Sequence, residues 1–492
     1  MNKAALSSAA LYRKIRKDFI GLDTAYILAT GEKSRRIYLD SSASTLMMRT
    51  AHDVIERFYS HYANTHSLLH FGAKIATREY AWAHDRILSF AGASPDNYTC
   101  FFTGSGTTAG INRMARVFRD IRPDRDTAVV SIMEHHSNDL PHRKHMKKIL
   151  HVPVEESPGG MGCLSLEALE RILKENEGQI NYVALTGVSN VTGIINPIHE
   201  AAELAHTYGA LILVDGAQLL AHTPVAMEIP GKPSQNIDAL VFSGHKIYVP
   251  GSPGVVIARR DLLSETEPEE VGGGMVEHVF VDRYEVKETF PDREEAGTPN
   301  ISGAIGLAAA VDVLDRIGME LLRNEEDKII CEVLEKMGQI PDVSIYGEPD
   351  PDLCARVASV SFNVKGLDHG LVAAILNDYF NISVRNHCFC AHPYVKEMIM
   401  EDLLEMADET ALEDMDKVFH RKRGMVRASF AIYSTAEDVV TLIEAVEDIS
   451  RRKDYYRSLY HAGDHDDYVH NTFHFDHRVD FSIEDCVSEL TT

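Results

Sequence analysis

Tryptophan occurs once in this chain, basic side chains are outnumbered by acidic ones, and long apolar runs are missing. Each shortage excludes something. With 49 Lys and Arg against 74 Asp and Glu the formal net charge is −25, so nucleic acid and anionic membrane would both repel it. No apolar run approaches the length that spans a bilayer. Cysteine is sparse and odd in number, seven in all, scattered apart from Cys388 and Cys390. That usage suits a reducing, cytosolic setting rather than a disulfide framework. The N-terminus carries Lys3, Arg13, Lys14, Arg16 and Lys17 without the apolar core of a signal peptide; two readings stand, a short amphipathic helix of the mature protein, which is favoured, and an organelle presequence.

What remains is globular in character. Hydrophobic residues make up 45% and charged residues 25% of 492 positions, which exceeds one ordinary core and implies two or three domains. Apolar runs alternate with helical stretches, as in an α/β domain with a mostly parallel sheet. Strands are expected at Cys100 to Phe102, Thr127 to Ile132, Tyr182 to Leu185, Ala210 to Val214, Ala239 to Phe242 and Val255 to Ala258. Helices are expected at Arg49 to Tyr62, Ala73 to Phe90, Ser165 to Glu175, His199 to Tyr208 and Ser302 to about Arg323. A short strand, Arg35 to Asp40, should lead into the chain's first small-residue loop. A smaller α/β unit follows, with a last helix opened by Thr435 and Asp438 in capping-box spacing.

Ligands of such sheets bind at the carboxyl ends of the strands. Those ends carry Thr103 to Gly110 (TGSGTTAG), His135, Asn190, Asp215 and the His245-Lys246 pair. Strand, Gly/Ser/Thr turn and helix N-terminus form a phosphate cradle, since free N–H groups and the helix dipole both favour an anion. The nucleotide P-loop lysine and the dinucleotide glycine spacing are absent. Lys246 ends a buried strand, where desolvation disfavours its ammonium form and leaves an amine nucleophile. Asp215 could hold a proton on a pyridine nitrogen opposite. A lysine nucleophile, a phosphate cradle and a strand-end carboxylate together describe a pyridoxal phosphate site. His135 supplies an aromatic face; Asn190 and Gln218 suit a ring hydroxyl, and Ser243 and His245 suit phosphate oxygens.

The same motifs carry a resemblance: YLDSSAS (Tyr38 to Ser44), GTTAGIN (Gly106 to Asn112), MEHHSN (Met133 to Asn138) and VSNVTGIINP (Val188 to Pro197). LVDGAQ (Leu213 to Gln218), FSGHKIYVPGSPG (Phe242 to Gly254), EAGTPN (Glu295 to Asn300) and RASFAIYSTAED (Arg427 to Asp438) continue it. From about Phe19 to Ile449 the chain resembles class V pyridoxal-phosphate enzymes, in their cysteine desulfurase and selenocysteine lyase branch. The resemblance implies aminotransferase fold type I: a large domain with a mostly parallel, seven-stranded-type sheet and a smaller C-terminal α/β domain. It makes Lys246 the cofactor-bearing lysine, Asp215 the partner of the ring nitrogen, and His135 the stacking and proton-shuttling residue. Thr107, Thr108, Ser243 and His245 would hold the phosphate, and Thr298 would reach it across a homodimer interface. Arg427 would clamp the substrate carboxylate, with Asn190 and His66 also expected near the substrate.

Val384 to Pro393 (VRNHCFCAHP) resembles the family's sulfur-accepting loop, and counting back from Ala391 and Pro393 makes Cys390 the acceptor. The implied reaction removes sulfur from cysteine, or a related thiol or selenol amino acid, as a persulfide on Cys390, and releases alanine. Cys388 is either a second acceptor or a structural neighbour. Cys388, Cys390 and His392 lack a second ligand pair, so no metal site is assigned. Two rivals stay open: another class V enzyme (aminotransferase, epimerase or carbon–sulfur lyase) in which Cys390 is idle, and a non-catalytic scaffold for a sulfur-transfer partner. The partners expected are a cysteine-like substrate, a second copy of the chain and a sulfur-acceptor protein.

The expected divisions are an N-terminal helical segment (1–34), a large cofactor-binding domain (35–322) and a small domain (323–459) that contains an inserted helical stretch (394–424). An Asp/His-rich tail (460–492) is expected to be flexible. Where related enzymes read His-Arg-Gly-Ile-His, this chain has His66-Ser67-Leu68-Leu69-His70, without the arginine and glycine.

Overall fold

The large sheet is built from runs that are apolar at nearly every position, the mark of strands covered on both faces. The computed structural model describes residues 6–400, 424–463 and 467–491. Its strands are β1 (Tyr98–Thr103), β2 (Thr127–Ser131), β3 (Lys148–Val152), β4 (Ile180–Thr186), β5 (Leu211–Asp215), β6 (Ala239–Ser243) and β7 (Gly254–Arg259). They form a seven-stranded sheet in the order β1-β7-β6-β5-β4-β2-β3. β7 runs antiparallel to both neighbours, whereas β6, β5, β4, β2 and β3 pair in parallel. All five residues of β5 and all seven of β4 are buried. Each fully buried Val, Leu or Ile contributes roughly 1.5–3 kcal/mol, so the sheet is a stiff platform for whatever its carboxyl ends hold.

Helix α1 (Gly106–Ile121) packs Ile111, Met114, Val117 and Phe118 onto one sheet face, with Phe101, Val130 and Val241. The expected helix from Ser302 to about Arg323 is two helices, α2 (Ile301–Ile317) and α3 (Met319–Met337). Gly318 separates them at φ +93°, a conformation costly for other residues and easy for glycine. Leu322 still joins the large core, while Ile330, Val333, Leu334 and Met337 enter the small one.

The small unit is a four-stranded antiparallel sheet, β8 (Val343–Tyr346), β9 (Ser359–Val364), β10 (Arg385–His387) and β11 (Met425–Ser429), ordered β8-β9-β11-β10. Helices α4 (His369–Phe380) and α5 (His392–Met398) flank β10 in sequence, and α6 (Ala436–Arg451) follows β11. The capping box is formed: Thr435 N–H donates to Asp438 Oδ2 at 2.7 Å and Asp438 N–H to Thr435 Oγ1 at 3.2 Å. The strand expected at the head of the large domain belongs to this side. Ile37 and Tyr38 pair in parallel with Ile382 and Ser383, and Leu39 lies in the small core.

The start of the tail packs on the small unit. Tyr460–Ala462 and Tyr468–His470 form a hairpin. Tyr460 donates its hydroxyl hydrogen to Asp378 at 2.9 Å, and the Tyr379 hydroxyl meets His470 Nε2 at 2.8 Å. Of the expected insertion, residues 401–423, including Leu403, Leu404 and Met406, lie outside the described residues. Among the described residues no helix is long and apolar enough to cross a membrane.

Candidate active site

A cavity of about 330 Å³ lies at the carboxyl ends of the large sheet. Thr107, Thr108, His135, Asn190, Asp215, Gln218, Ser243, His245 and Lys246 all line it. Nine expected site residues thus converge, because parallel strands place their carboxyl ends on one rim.

The phosphate cradle is the start of α1. Gly106 has φ +61°, and a Cβ there would stand 2.6 Å from Ser243 Oγ, so the turn requires glycine. Ser243 Oγ lies 2.6 Å from both Thr107 N and Thr107 Oγ1, tying β6 to the helix start. Thr108 Oγ1 meets Ser137 Oγ at 2.7 Å. The N-cap Ser105 side chain makes no capping hydrogen bond, and beside the Thr107 N–H held by Ser243 a first turn has further N–H groups without helical acceptors.

The reactive groups are shaped by burial. Lys246 sits in the short turn after β6, and desolvation pushes its ammonium down to about 8, with the Asp215 carboxylate pulling the other way. Asp215 ends β5, and burial raises its carboxyl, opposed by the Ala217 N–H (2.9 Å) and by Lys246. His135 is held down to about 4, by desolvation first and the nearby Lys246 second. Its Nδ1 accepts the Ser137 N–H at 3.0 Å, which leaves the proton of the neutral ring on Nε2. Burial likewise lowers His245 to about 4, and its Nδ1 lies 3.3 Å from Ser44 Oγ.

Two amides expected to face a ring oxygen also brace the surrounding loops. Gln218 Nε2 donates to Ser42 O at 2.6 Å, and Asn190 Nδ2 donates to Phe389 O at 2.8 Å. Arg427, Cys390, His66 and Thr298 do not line the cavity. Arg427 adjoins it through the Asn190 carbonyl, to which Nη1 donates at 2.6 Å. Its Nη2 is 3.4 Å from Asp40 Oδ1, its guanidinium carbon is 4.8 Å from the Phe389 ring centre, and its buried Nε has no hydrogen-bond partner. Thr298 is exposed and accepts a hydrogen bond from Asn64 Nδ2 at 3.2 Å. His66, at φ +65°, neighbours Gly274 instead.

Cys390 is exposed and Cys388 buried. Their loop contains His387 (φ +85°), Phe389 (+48°) and Cys390 (+56°) in left-handed conformations. Cys390 O accepts the His136 N–H at 2.7 Å, and His136 and His392 stack edge to face at 4.6 Å.

Sequence reasoning missed three contributors. Glu134, 3% exposed, accepts from Ser131 Oγ (2.5 Å), Asn138 Nδ2 (2.6 Å) and Thr186 N (3.0 Å), pinning the ends of β2 and β4 beside His135. Desolvation raises its carboxyl to about 8. Asp40 faces both Arg427 and Arg385, and Phe389 covers Arg427. Glu134 and Asp40 stand inside quoted motifs, which was the available signal; Phe389 had none beyond its place between two cysteines.

The aminotransferase class-V family model matches residues 37–442, which spans every element of this site. The chain belongs to that family. A probable cysteine desulfurase of Halalkalibacterium halodurans is 32% identical over 430 residues, covering 86% of this chain and 95% of its own length. A cysteine desulfurase of Escherichia coli is 32% identical over 420 residues, covering 84% of this chain and 93% of its own length. Among solved structures, the apo cysteine desulfurase of Thermococcus onnurineus superposes with a TM-score of 0.74 at 30% identity, covering 89% of this chain and 98% of that one. An Escherichia coli cysteine desulfurase in an S-sulfonic acid form gives 0.69 at 26% identity, covering 92% and 99%. These likenesses carry the expected fold type I architecture, and the seven-stranded, mostly parallel sheet agrees with it.

Proposed function

We propose that this class V enzyme is a pyridoxal-phosphate-dependent cysteine desulfurase, which moves the sulfur of L-cysteine onto Cys390 and releases alanine. The observation that carries the reading is one cavity shared by Lys246, Asp215 and the first turn of α1.

The residues fit the cofactor. The first-turn N–H groups of α1 suit a dianionic phosphate, and a side chain at position 106 would collide with Ser243 at that turn. Thr107, Thr108, Ser243 and His245 would hold the phosphate, Lys246 the aldehyde carbon, Asp215 the pyridine nitrogen, and Asn190 and Gln218 the ring oxygen. His135 would lie against the ring. Bound there, the cofactor supplies an electron sink for the bonds around the substrate's α-carbon.

The chain's own residues do the rest. Lys246, with its ammonium lowered to about 8, is in part a free amine near neutrality and can carry a proton to and from the α-carbon. His135, neutral with its proton on Nε2, offers a donor on the same rim. Arg427 binds the substrate carboxylate through its unpartnered Nε, a charge-assisted contact in a dry setting. Cys390 takes the sulfur as a thiolate. A sulfur–sulfur bond forms as the carbon–sulfur bond breaks, leaving a persulfide on Cys390 and, after protonation of carbon, alanine. Because Cys390 is exposed, that persulfide is open to a sulfur-acceptor protein.

We read the working unit as a homodimer. Thr298 is exposed, lies outside its own chain's cavity and would complete the phosphate site of the second copy, and Leu69, Phe71 and Val281 are large apolar side chains left exposed on a single chain. The test is borohydride reduction of the purified holoenzyme, followed by peptide mass spectrometry. The cofactor should be fixed on Lys246; a different lysine, or none, overturns the assignment. In parallel, Cys390→Ser should abolish sulfide release while leaving the cofactor absorbance unchanged, and sulfide at the wild-type rate excludes the persulfide route.

A further inference from the structure

The contact between Phe389 and Arg427 joins two parts of the site that the reaction uses at different moments. Arg427 is 3% exposed, with Nη1 on the Asn190 carbonyl and Nη2 toward Asp40, while Nε is buried and unpartnered. The face of the guanidinium is covered by the Phe389 ring at 4.8 Å. Phe389 immediately precedes Cys390, and both residues hold left-handed backbone conformations, as does His387. None of the three is glycine, so each conformation is disfavoured by its own Cβ and persists only where contacts impose it. The contacts that do so are the apolar packing of Cys388, Phe389 and Ala391 in one cluster with Met133 and Val191, the ring on Arg427, the Phe389 carbonyl on Asn190 Nδ2, and the Cys390 carbonyl on the His136 N–H.

A cation attracts an aromatic face through its charge. A carboxylate that takes the free Nε edge neutralises that charge, so it weakens the hold on Phe389 without occupying the same space. The geometry points to Phe389 as the positioning residue that couples substrate binding to the cysteine loop. With Asp40 at 3.4 Å as its carboxylate neighbour, the Arg427 cation adds to the packing that holds the Phe389 ring and with it the strained loop; a second carboxylate, the substrate's, loosens the ring and frees the backbone that carries Cys390. The loop is therefore released when there is sulfur to collect. This rests on Arg427 as the carboxylate anchor and Cys390 as the sulfur acceptor.

The test is hydrogen–deuterium exchange of residues 386–392 in the holoenzyme, with and without L-alanine, which has the carboxylate and amine but no thiol. Binding is followed separately by the cofactor absorbance. Alanine should speed early exchange of this segment about threefold in the wild type and in Phe389→Tyr, which keeps the aromatic face. Phe389→Leu keeps apolar bulk but no π face; it should exchange fast without alanine and respond little to it. It should also show a lower KM for cysteine, since no ring has to be released, with kcat changed less. Alanine that binds but leaves wild-type exchange unchanged overturns the coupling. So does a Phe389→Leu loop that responds like the wild type. Alanine binding equally well to Arg427→Lys would instead overturn Arg427 as the anchor, and the coupling with it.

Discussion

The cofactor cavity and the cysteine loop sit side by side but are held in opposite ways. The cavity is made of strand ends whose supporting residues are almost wholly buried, and its polar groups are tied together by short hydrogen bonds: Thr107 to Ser243, Glu134 to Ser131, Gln218 to Ser42. The loop holds three left-handed non-glycine residues, kept in place by apolar packing on Met133 and Val191 and by single hydrogen bonds to Asn190 and His136. A group that must position a ring through every turnover belongs on the first kind of support. A thiol that must meet substrate and then hand sulfur outward belongs on the second.

If that contrast is right, changes in the cavity should remove cofactor binding and all chemistry, and changes in the loop should remove sulfur transfer and the alanine release that depends on it while leaving the cofactor bound. The largest effect is expected from Lys246→Ala, which should lower alanine formation from cysteine by on the order of 10³-fold or more, measured as alanine per enzyme. Next, Cys390→Ser should cut sulfide release by a similar order in the presence of reductant, yet keep the cofactor absorbance that Lys246→Ala loses. Gly106→Ala places a side chain where φ is +61° and Ser243 Oγ is 2.6 Å away. It should weaken cofactor affinity about tenfold, read by titrating apoenzyme with pyridoxal phosphate.

A pH series sharpens the comparison further. Lys246 reacts as the free amine, and burial puts its ammonium at about 8. Cofactor incorporation into apoenzyme should therefore rise about tenfold per pH unit below that value and level off above it. Prior alkylation of exposed Cys390, checked by peptide mass spectrometry, should leave that pH profile of cofactor incorporation unchanged. The smallest effect lies away from both regions: Thr435→Ala breaks the capping box of α6 and should cost about 1 kcal/mol of stability in a denaturant melt, with turnover unchanged.

How legible all this was depends on distance along the chain. β4, β5 and β6 announce themselves as apolar runs, and Lys246 and Asp215 follow from where those runs stop. The capping box at Thr435 is local, so three residues suffice to read it. The division at Gly318 was missed because Met319 to Arg323 continues a helical pattern and only the backbone angle shows the break. Asp40 meets Arg427, and Phe389 meets Asn190, across |i−j| of 387 and 199. No local pattern encodes such a pair. The hairpin that Tyr460 and His470 anchor to Asp378 and Tyr379 of the small domain was equally hidden, since the Asp and His content of the tail carries no signal for so distant a contact.

The account stands or falls on where the substrate's sulfur goes. Holoenzyme incubated briefly with L-cysteine, quenched without reductant and digested, should show one added sulfur atom on the peptide that bears Cys390, lost on later treatment with thiol. Added sulfur on no cysteine, or only on one remote from this loop, while alanine still accumulates, would contradict it.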